Sequence, residues 1–264
     1  MDCNIKSEME VQIPDELFQN IVQSKCETIE EMSLAYSYCL FNSFLTKYGL
    51  YYPDSDSDLV TNKDILSWLG YKKYSSQSKI IKRGGYLEEA NIIKHIKEIP
   101  LGMINNFIKE DQKTIGGVLT ASSLLGDDTV KYHIGLGSQK FRNYTVAYPI
   151  YLEYREGYAN GTLIEYINTH KIVFSSIEKI IKRNKANTRN IRTEIYVYGL
   201  LKMIARGRQD FPISGNTVEA LNLISQSTFS KYVALLEKHK LISIKRGKKS
   251  DEYRSTNVYR FLDK

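Results

Sequence analysis

Two stretches of the chain align with each other without a gap, and this internal match limits the possible folds more than any other feature of the sequence. Residues 76–97 align with residues 225–246 at a constant offset of 149 positions. The identical positions are Ser76-Gln77-Ser78 with Ser225-Gln226-Ser227, Lys82 with Lys231, Leu87-Glu88 with Leu236-Glu237, and Ile93 with Ile242. Each copy has a polar start, a helical stretch and a short run towards a strand. The match predicts one structural module present twice, although two amphipathic helices can also resemble each other by chance.

The C-terminal copy lies within a longer pattern of helices and strands. Apolar residues at helical spacing predict a helix over residues 188–205, which the basic and glycine residues 206–208 would end. A short extended piece at 211–213 follows this helix. Asn216 is predicted to cap a second helix, and Ser225 is predicted to cap a third.

The third helix has one apolar face and one polar face. The apolar face, which is most simply core, carries Phe229, Val233 and Leu236. After this helix, residues 241–244 alternate as a strand does, 247–252 form a charged turn, and 255–261 return as a second strand. The predicted order is therefore helix, helix, helix, strand, turn, strand.

This order of elements is that of a winged helix. The segment Ser225–Ile242, which has the pattern S-x-S-T-F-x-K-Y-x-x-x-L-E-K-x-x-L-I, resembles the winged helix-turn-helix superfamily, in particular its bacterial regulators. The resemblance covers about residues 188–262. It implies that the helix after Ser225 is a recognition helix and that the following strand opens the wing.

Double-stranded DNA is the partner that this resemblance implies. A recognition helix fits the major groove, where glutamine and lysine reach base edges, and lysines on a hairpin suit contact with phosphates. The DNA-binding residues expected in this module are Gln226, Ser227, Thr228, Ser230, Lys231, Lys245, Arg246, Lys248, Lys249 and Arg254. A basic hairpin alone could serve solubility, but one that directly follows a polar-faced helix favours DNA binding.

The N-terminal copy fits the same pattern less completely. A helix is predicted over Ile29–Tyr48, a loop over 53–58, a short strand over 59–61 and a helix capped by Asn62. Lys72–Ser75 is an insertion relative to the other copy. The DNA-contacting residues expected here are Ser76, Gln77, Lys79, Lys82 and Arg83.

Gly84-Gly85 disagrees with the predicted contact helix. Each glycine in a helix interior costs about 1 kcal/mol relative to alanine, so that either the helix breaks at this point or the match is false. The wing of this copy is not evident from the sequence.

The charge distribution separates the chain into acidic and basic parts. Residues 1–170 hold 17 basic and 22 acidic side chains, whereas residues 171–264 hold 20 and 8. A second basic island, residues 60–97, holds 8 basic and 3 acidic side chains. Both islands coincide with the internal match, and basic surfaces of this kind indicate a polyanionic partner. A solvated charged surface is the alternative for either island alone.

The fold expected for the whole chain is mainly α with small β-hairpins, in the α+β class. Tandem winged-helix domains would span residues 1–110 and 188–264, joined by a connecting region at 111–187. In that region Tyr144–Leu152 is predicted to be extended and Thr162–Lys185 to be a linker helix.

Catalysis, cofactors and metals are not expected. The four histidines are isolated from one another, which excludes the paired histidines of relaxases and the His-x-x-Arg of tyrosine recombinases. No Gly-Lys-Ser/Thr of a phosphate-binding loop is present, and the three cysteines form no C-x-x-C pair. No secretory signal and no membrane-spanning run of apolar residues is found, and we expect a cytoplasmic protein.

Three functions are compatible with these expectations. The first is a sequence-specific transcriptional regulator whose two winged helices bind neighbouring half-sites. The second is a replication initiator or partition factor of a plasmid, phage or other mobile element. The third is a winged-helix adaptor that binds another protein. A homodimer is possible in each case, because the sequence does not fix the oligomeric state.

Overall fold

The chain has an α+β fold of helices and small antiparallel sheets. The computed structural model describes residues 9–48, 60–71, 78–97, 100–103, 114–115, 118–120, 145–151, 168–247 and 256–262. In chain order the elements are β1 (Glu10–Pro14), α1 (Glu16–Gln23), α2 (Ile29–Tyr48), α3 (Asn62–Trp68), α4 (Ser78–Ile81), α5 (Tyr86–Glu89), β2 (Ile93–Ile96), β3 (Pro100–Met103), β4 (Thr114–Ile115), β5 (Val118–Thr120), β6 (Val146–Pro149), β7 (Thr169–Val173), α6 (Phe174–Arg183), α7 (Asn190–Ala205), β8 (Asp210–Ile213), α8 (Gly215–Ala220), α9 (Gln226–Lys238), β9 (Ile242–Lys245) and β10 (Asn257–Phe261).

The described residues form two compact units that interleave along the sequence. Unit 1 comprises Tyr38–Trp68 and Lys72–Ile167, and unit 2 comprises Lys6–Ser37, Leu69–Tyr71 and Asn168–Lys264. Unit 2 therefore takes its first strand and first helix from residues 10–23.

Unit 2 is built around helix α7. This helix is buried on almost every side, and its tyrosines Tyr196 and Tyr198 have no exposed surface, which is the pattern of a central helix rather than of a surface helix. Phe18 stacks on Tyr36 with ring centroids 4.7 Å apart, and Tyr196 meets Phe18 edge-on at 5.2 Å. The helix ends at Arg206 and Gly207, both in the left-handed region, which confirms the predicted end.

Two small sheets complete unit 2. Strands β1 and β7 pair in antiparallel fashion, with Gln12 opposite Lys171. Strand β10 lies between β8 and β9, so that Tyr259 pairs with both Phe211 and Ile244. The predicted strands at 211–213, 241–244 and 255–261 are thus confirmed within a residue or two at each end.

Unit 1 contains the second part of α2, the short helices α3 to α5, and two sheets. Strand β2 pairs with β6 in antiparallel fashion, with Ile93 opposite Pro149, and strand β5 lies between β3 and β4. Tyr38 donates a hydrogen bond to Asn62 Oδ1 at 2.6 Å and thereby joins α2 to α3. The predicted helix at 29–48 and the predicted extended stretch around β6 are both confirmed.

The internal match of the sequence is also a match of backbone geometry. Asn91 and Lys240, 149 positions apart, both have left-handed backbones, with φ of 55° and 59°. Just before them, the Leu87 carbonyl accepts the Ile92 N–H at 2.9 Å, and the Leu236 carbonyl accepts the Leu241 N–H at 3.0 Å. Strands β2 and β9 then begin and end at equivalent positions.

The match also includes the partner strands. The Ile150 N–H donates to the Ile92 carbonyl at 3.0 Å, and the Leu262 N–H donates to the Leu241 carbonyl at 2.9 Å. The two accepting carbonyls are again 149 positions apart. Each unit therefore has a helix, a left-handed turn and an antiparallel strand pair in the same order, but the strands are joined by 246–256 in unit 2 and by 97–145 in unit 1.

Helices α3 and α8, which precede the aligned segments of the two units, begin with the same kind of cap. Thr61 and Asp64 exchange side-chain to backbone hydrogen bonds at the start of α3, and the Ser214 hydroxyl accepts the Thr217 N–H at 3.1 Å at the start of α8. The caps are therefore Thr61 and Ser214, and the predicted caps Asn62 and Asn216 are wrong by one and two residues. The Asn62 side chain instead accepts the hydrogen bond from the Tyr38 hydroxyl of α2.

Two further predictions differ from the structure. Thr162–Lys185 is not one helix, because its residues 169–173 form β7, whose side chains alternate between exposed and buried as the strand pairs with β1. Val60 and Thr61 are not in a strand, and the rest of the predicted strand and the loop before it lie outside the described residues.

Candidate nucleic-acid interface

Helix α9 carries the candidate site of unit 2, and both of its ends are fixed. At its start the Ser225 hydroxyl oxygen accepts the Thr228 N–H at 3.4 Å, which confirms the predicted cap. The apolar face of Phe229, Val233 and Leu236 is buried, as the sequence predicted. Tyr232 adds a hydrogen bond from its hydroxyl to Asn190 Oδ1, at 3.3 Å, and so attaches the helix to the start of α7.

The end of α9 is held by a buried carboxylate. Glu194, on α7, has no exposed surface, and its two oxygens lie 2.7 Å from Asn184 Nδ2 and 2.6 Å from His239 Nδ1. Burial raises the pKa of Glu194, and the hydrogen bonds from Asn184 and His239 only partly offset this effect. The position of α9 is thus set by a buried polar network as well as by apolar packing.

The opposite face of α9 presents polar side chains to solvent. Its exposed members are Gln226, Ser227, Ser230 and Lys231. Thr228 is half-buried, and its hydroxyl receives a hydrogen bond from Ser225 Oγ at 2.9 Å, so that it takes part in the cap. Four of the five predicted contact residues on this helix therefore form one exposed polar surface, which we call the α9 face.

Lys245 is the last residue of β9 and Arg246 is the first residue after it, and both are exposed. Arg246 makes two hydrogen bonds to the Glu237 carboxylate, at 3.3 and 2.6 Å, and this pairing raises its pKa. The Arg246 side chain therefore ties the hairpin to α9, whereas Lys245 points to solvent without such a bond among the described contacts. The predicted contacts Lys248, Lys249 and Arg254 lie outside the described residues.

The corresponding segment of unit 1 is not one helix. Helix α4 ends at Ile81, Gly84 has a φ of 65°, and α5 begins at Tyr86, so the glycines break the predicted contact helix. A larger residue does not fit at position 85 without a shift of the backbone, because a Cβ atom there would lie 2.7 Å from the Lys79 carbonyl oxygen.

The break turns the predicted helix face into a short basic turn. Lys79 is exposed on α4, while Lys82 and Arg83 are exposed in the turn after it. We call these three residues the basic turn. Ser76 and Gln77, the other two residues predicted for this site, lie outside the described residues.

Glu88 and His95 connect the basic turn to strand β2. Glu88 accepts the Gly84 N–H at 2.5 Å and the His95 N–H at 3.0 Å. The His95 ring, whose side chain is only 2% exposed, lies with Nδ1 3.1 Å from Glu88 Oε1 and Nε2 3.2 Å from the Ile81 carbonyl oxygen. Burial opposes ionisation of Glu88, but its hydrogen bonds from Gly84 and His95 outweigh burial and lower its pKa.

The internal match contained a signal for the two glutamates that make these connections. Glu88 and Glu237 are identical positions of the internal match, and each carboxylate binds a cationic or ionisable side chain of the strand or hairpin that follows it. The third network, Glu194 with Asn184 and His239, had no such signal, because Glu194 lies outside the internal match and His239 is 45 positions from it.

Within the described ranges, no three histidine, cysteine or acidic residues are grouped as metal ligands would be. Within the same ranges, no helix is both long enough and apolar enough to cross a bilayer.

Comparison with known proteins gives no relative. No family model matches this chain, and no curated protein or solved structure is significantly similar to it. Its function must therefore be inferred from the residues and distances given above.

Proposed function

We propose that the chain is a sequence-specific double-stranded DNA-binding protein in which each unit is a winged-helix module, and that it serves as a transcriptional regulator. Unit 2 would read base edges through the α9 face. Unit 1 would add binding through the basic turn.

The observation that carries this proposal is the α9 face itself. A capped and well-anchored helix exposes glutamine, serine and lysine on one side while its other side is buried. These side chains can donate to and accept from base edges, and a helix of this diameter enters the major groove. A helix without a binding function would not need hydrogen bonds that hold both of its ends in place.

The strand pair after α9 supports the same conclusion. Helix, helix, strand and returning strand follow one another from α8 to β10, and the connecting hairpin contains the predicted phosphate contacts. Residues 171–264 also carry the excess of basic side chains, 20 against 8 acidic. A positively charged module with a polar helix and a basic hairpin fits double-stranded DNA, a polyanion whose grooves expose base edges.

The repeated geometry supports a role for unit 1. Its helix, left-handed turn and strand pair match those of unit 2 position by position, and its basic turn lies where unit 2 has the first half of α9. Because Gly84 and Gly85 break the helix in unit 1, the exposed cations of the basic turn suit phosphates better than base edges.

The experiment is a selection of bound duplexes from a random pool by the purified full chain, followed by binding titrations at several salt concentrations. We expect enrichment of one sequence pattern and a binding constant that falls steeply with salt. Lys179→Ala is the matched control, since Lys179 is exposed on α6 and is not among the predicted DNA contacts, and it should leave affinity unchanged. Absence of any duplex binding at low salt would reject the proposal.

A second selection, from genomic DNA fragments, together with a protein-binding assay separates the functional alternatives. Enrichment of a single site next to the chain's own promoter supports the regulator. Enrichment of tandem repeats at an origin instead supports the replication or partition factor, because such factors bind repeated sites. Salt-independent binding to a protein without affinity for DNA supports the adaptor.

A further inference from the structure

One arginine ties the hairpin after β9 to helix α9. Glu237 lies in the last turn of α9, and Arg246 is the first residue after β9, one position beyond the strand pair of Lys245 with Val258. Arg246 Nη1 and Nη2 donate hydrogen bonds to the two oxygens of the Glu237 carboxylate, at 3.3 and 2.6 Å. A forked contact of this kind fixes the direction of both side chains as well as their distance.

The next residue closes the hairpin from its other side. The Gly247 N–H donates a hydrogen bond to Asn257 Oδ1 at 3.2 Å, and Asn257 is the first residue of β10. Two neighbouring residues thus connect the base of the hairpin to the elements beside it, Arg246 to α9 and Gly247 to β10. Because both contacts are made to side chains, either can be removed by a substitution that leaves the β9–β10 pairing in place.

Unit 1 has a glutamate in an equivalent place. Glu88, the position that matches Glu237, accepts the His95 N–H at 3.0 Å, and His95 lies on β2. In both units a carboxylate of the helix therefore binds the chain that follows the left-handed turn. Its recurrence at one position of the internal match favours a role in placing the strand pair relative to the helix over a chance surface contact.

The pairing makes Arg246 a poor phosphate contact. The Glu237 carboxylate neutralises the guanidinium and accepts two of its N–H groups, so that a phosphate would first have to displace it. A neutral pair releases no counterions from DNA and adds nothing to the salt dependence of binding. Glu237 in turn needs a cation, because an unpaired carboxylate on the DNA-reading helix would repel the duplex.

We propose that Arg246 is a positioning residue and not a DNA contact: paired with Glu237, it holds the hairpin where the hairpin and the α9 face can engage one duplex together. This inference rests on the proposed function and removes Arg246 from the contacts expected from the sequence. An exposed ion pair contributes little to stability, so variants of the pair should fold.

The first test needs no DNA. Hydrogen exchange of the Gly247 amide is followed by NMR in the full chain and in its Glu237→Ala and Arg246→Ala variants. We expect exchange about three- to fivefold faster in both variants, because loss of the pair frees the base of the hairpin. Equal exchange of Gly247 in the wild type and in both variants overturns the positioning role, whatever the chain binds.

Arg260→Ala is the matched control for this test. Arg260 makes a forked pair of the same kind with Asp210, with both hydrogen bonds at 2.6 Å, but this pair joins β10 to β8. Neither residue is among the predicted DNA contacts. We expect Arg260→Ala to leave the exchange of Gly247 and the affinity for DNA unchanged, which separates the loss of this particular pair from the loss of any surface ion pair.

The second test uses the selected duplex. If Arg246 positions the hairpin, Glu237→Ala and Arg246→Ala should each weaken binding about three- to fivefold, and the double variant should bind no more weakly than either single one. If Arg246 instead contacts a phosphate, Glu237→Ala frees the arginine and removes a negative charge, and binding becomes stronger. Stronger or unchanged binding by Glu237→Ala therefore overturns the proposal.

The charge exchange Glu237→Arg with Arg246→Glu gives the sharpest contrast. It rebuilds the pair in the opposite direction, and we expect it to recover affinity to within about twofold of wild type. A glutamate in place of a phosphate contact would instead make this variant the weakest binder of the series, which would also overturn the proposal. If the wild-type chain binds no duplex, the proposed function fails, whereas the Gly247 exchange still decides whether the pair holds the hairpin.

Discussion

The buried Glu194 shows how single residues support the candidate site. Its carboxylate has no exposed surface and lies between Asn184 and His239, so that one side chain joins the end of α6, the middle of unit 2 and the end of α9. Breaking a buried network on one side is costly, because the remaining groups lose their partners.

We therefore predict that Glu194→Ala lowers the free energy of unfolding by about 2–4 kcal/mol, whereas Glu194→Gln, which can bond both neighbours, costs far less. Urea unfolding followed by circular dichroism measures both. An alanine variant as stable as the glutamine variant would show that the network does not support the fold.

The raised pKa of Glu194 also fixes the sign of a pH effect. The folded state holds this proton more tightly than the unfolded state, so its contribution to stability is complete below the usual carboxyl pKa of 4.5 and is lost as pH rises through the raised value. We predict that the stability of wild type relative to Glu194→Gln decreases from pH 4 to pH 7. An increase over this range in paired urea titrations would contradict the assignment.

Single residues of the α9 face should determine base preference. We predict that Gln226→Ala and Lys231→Ala each cost about 1–3 kcal/mol against the selected site and relax the preference at one or two base pairs. Competition between selected and scrambled duplexes measures this loss. Lys179→Ala should leave the preference intact, and equal losses for selected and scrambled duplexes would place these residues on phosphates instead.

At the scale of elements, the sequence predicted best where a segment has one strong periodicity. Helices α2 and α7, the cap Ser225 and the buried face of α9 were all evident, because apolar spacing and capping residues act locally. The predicted helix over 162–185 failed at β7, since its strand conformation depends on pairing with β1, about 160 positions earlier in the chain. The contact of Glu194 with His239 was missed because it also depends on tertiary packing, across 45 positions of the chain.

The break between α4 and α5 yields a test of element structure. Gly84 has a positive φ, but no atom lies within 4 Å of the position that a Cβ there would take, whereas a Cβ on Gly85 would lie 2.7–3.0 Å from three backbone carbonyl oxygens. We predict that Gly84→Ala costs about 1–2 kcal/mol, from left-handed strain alone. Gly85→Ala should lower the melting temperature further, because backbone must move. The reverse order in thermal unfolding would contradict this turn geometry.

The hairpin after β9 is predicted to act as one electrostatic element. Lys248→Ala with Lys249→Ala should weaken binding to every duplex and reduce the salt slope by about two, since each phosphate contact contributes about 0.9. Titrations at four salt concentrations give the slope. A double variant with wild-type affinity at low and moderate salt would remove the hairpin from the interface.

At the scale of the whole molecule, each compact unit combines segments that lie far apart in the sequence. The core of unit 2 requires Phe18 and Tyr36 against Tyr196, and its strand β7 requires β1. Local sequence signals cannot reveal such distant partners, and residues 188–264 by themselves contain neither Phe18 and Tyr36 nor the β1–β7 pair.

We accordingly predict that the fragment 188–264 does not unfold cooperatively, in contrast to the full chain. The fragment loses the aromatic partners of Tyr196, and burial of such rings contributes about 1.5–3 kcal/mol each. Thermal unfolding followed by near-ultraviolet circular dichroism compares the two. A sharp transition of the fragment at the melting temperature of the full chain would show that 188–264 is a complete domain.

The pairing of β1 with β7 has a consequence for synthesis on the ribosome. Gln12 emerges early but its partner Lys171 is added 159 residues later, which takes about 8–30 s at ordinary translation rates. During that interval β1 is an unpaired edge and the apolar side of α1 is uncovered, a combination that favours association with other chains. The amount of active protein recovered from cells should therefore depend on elongation rate and on chaperones that shield nascent chains.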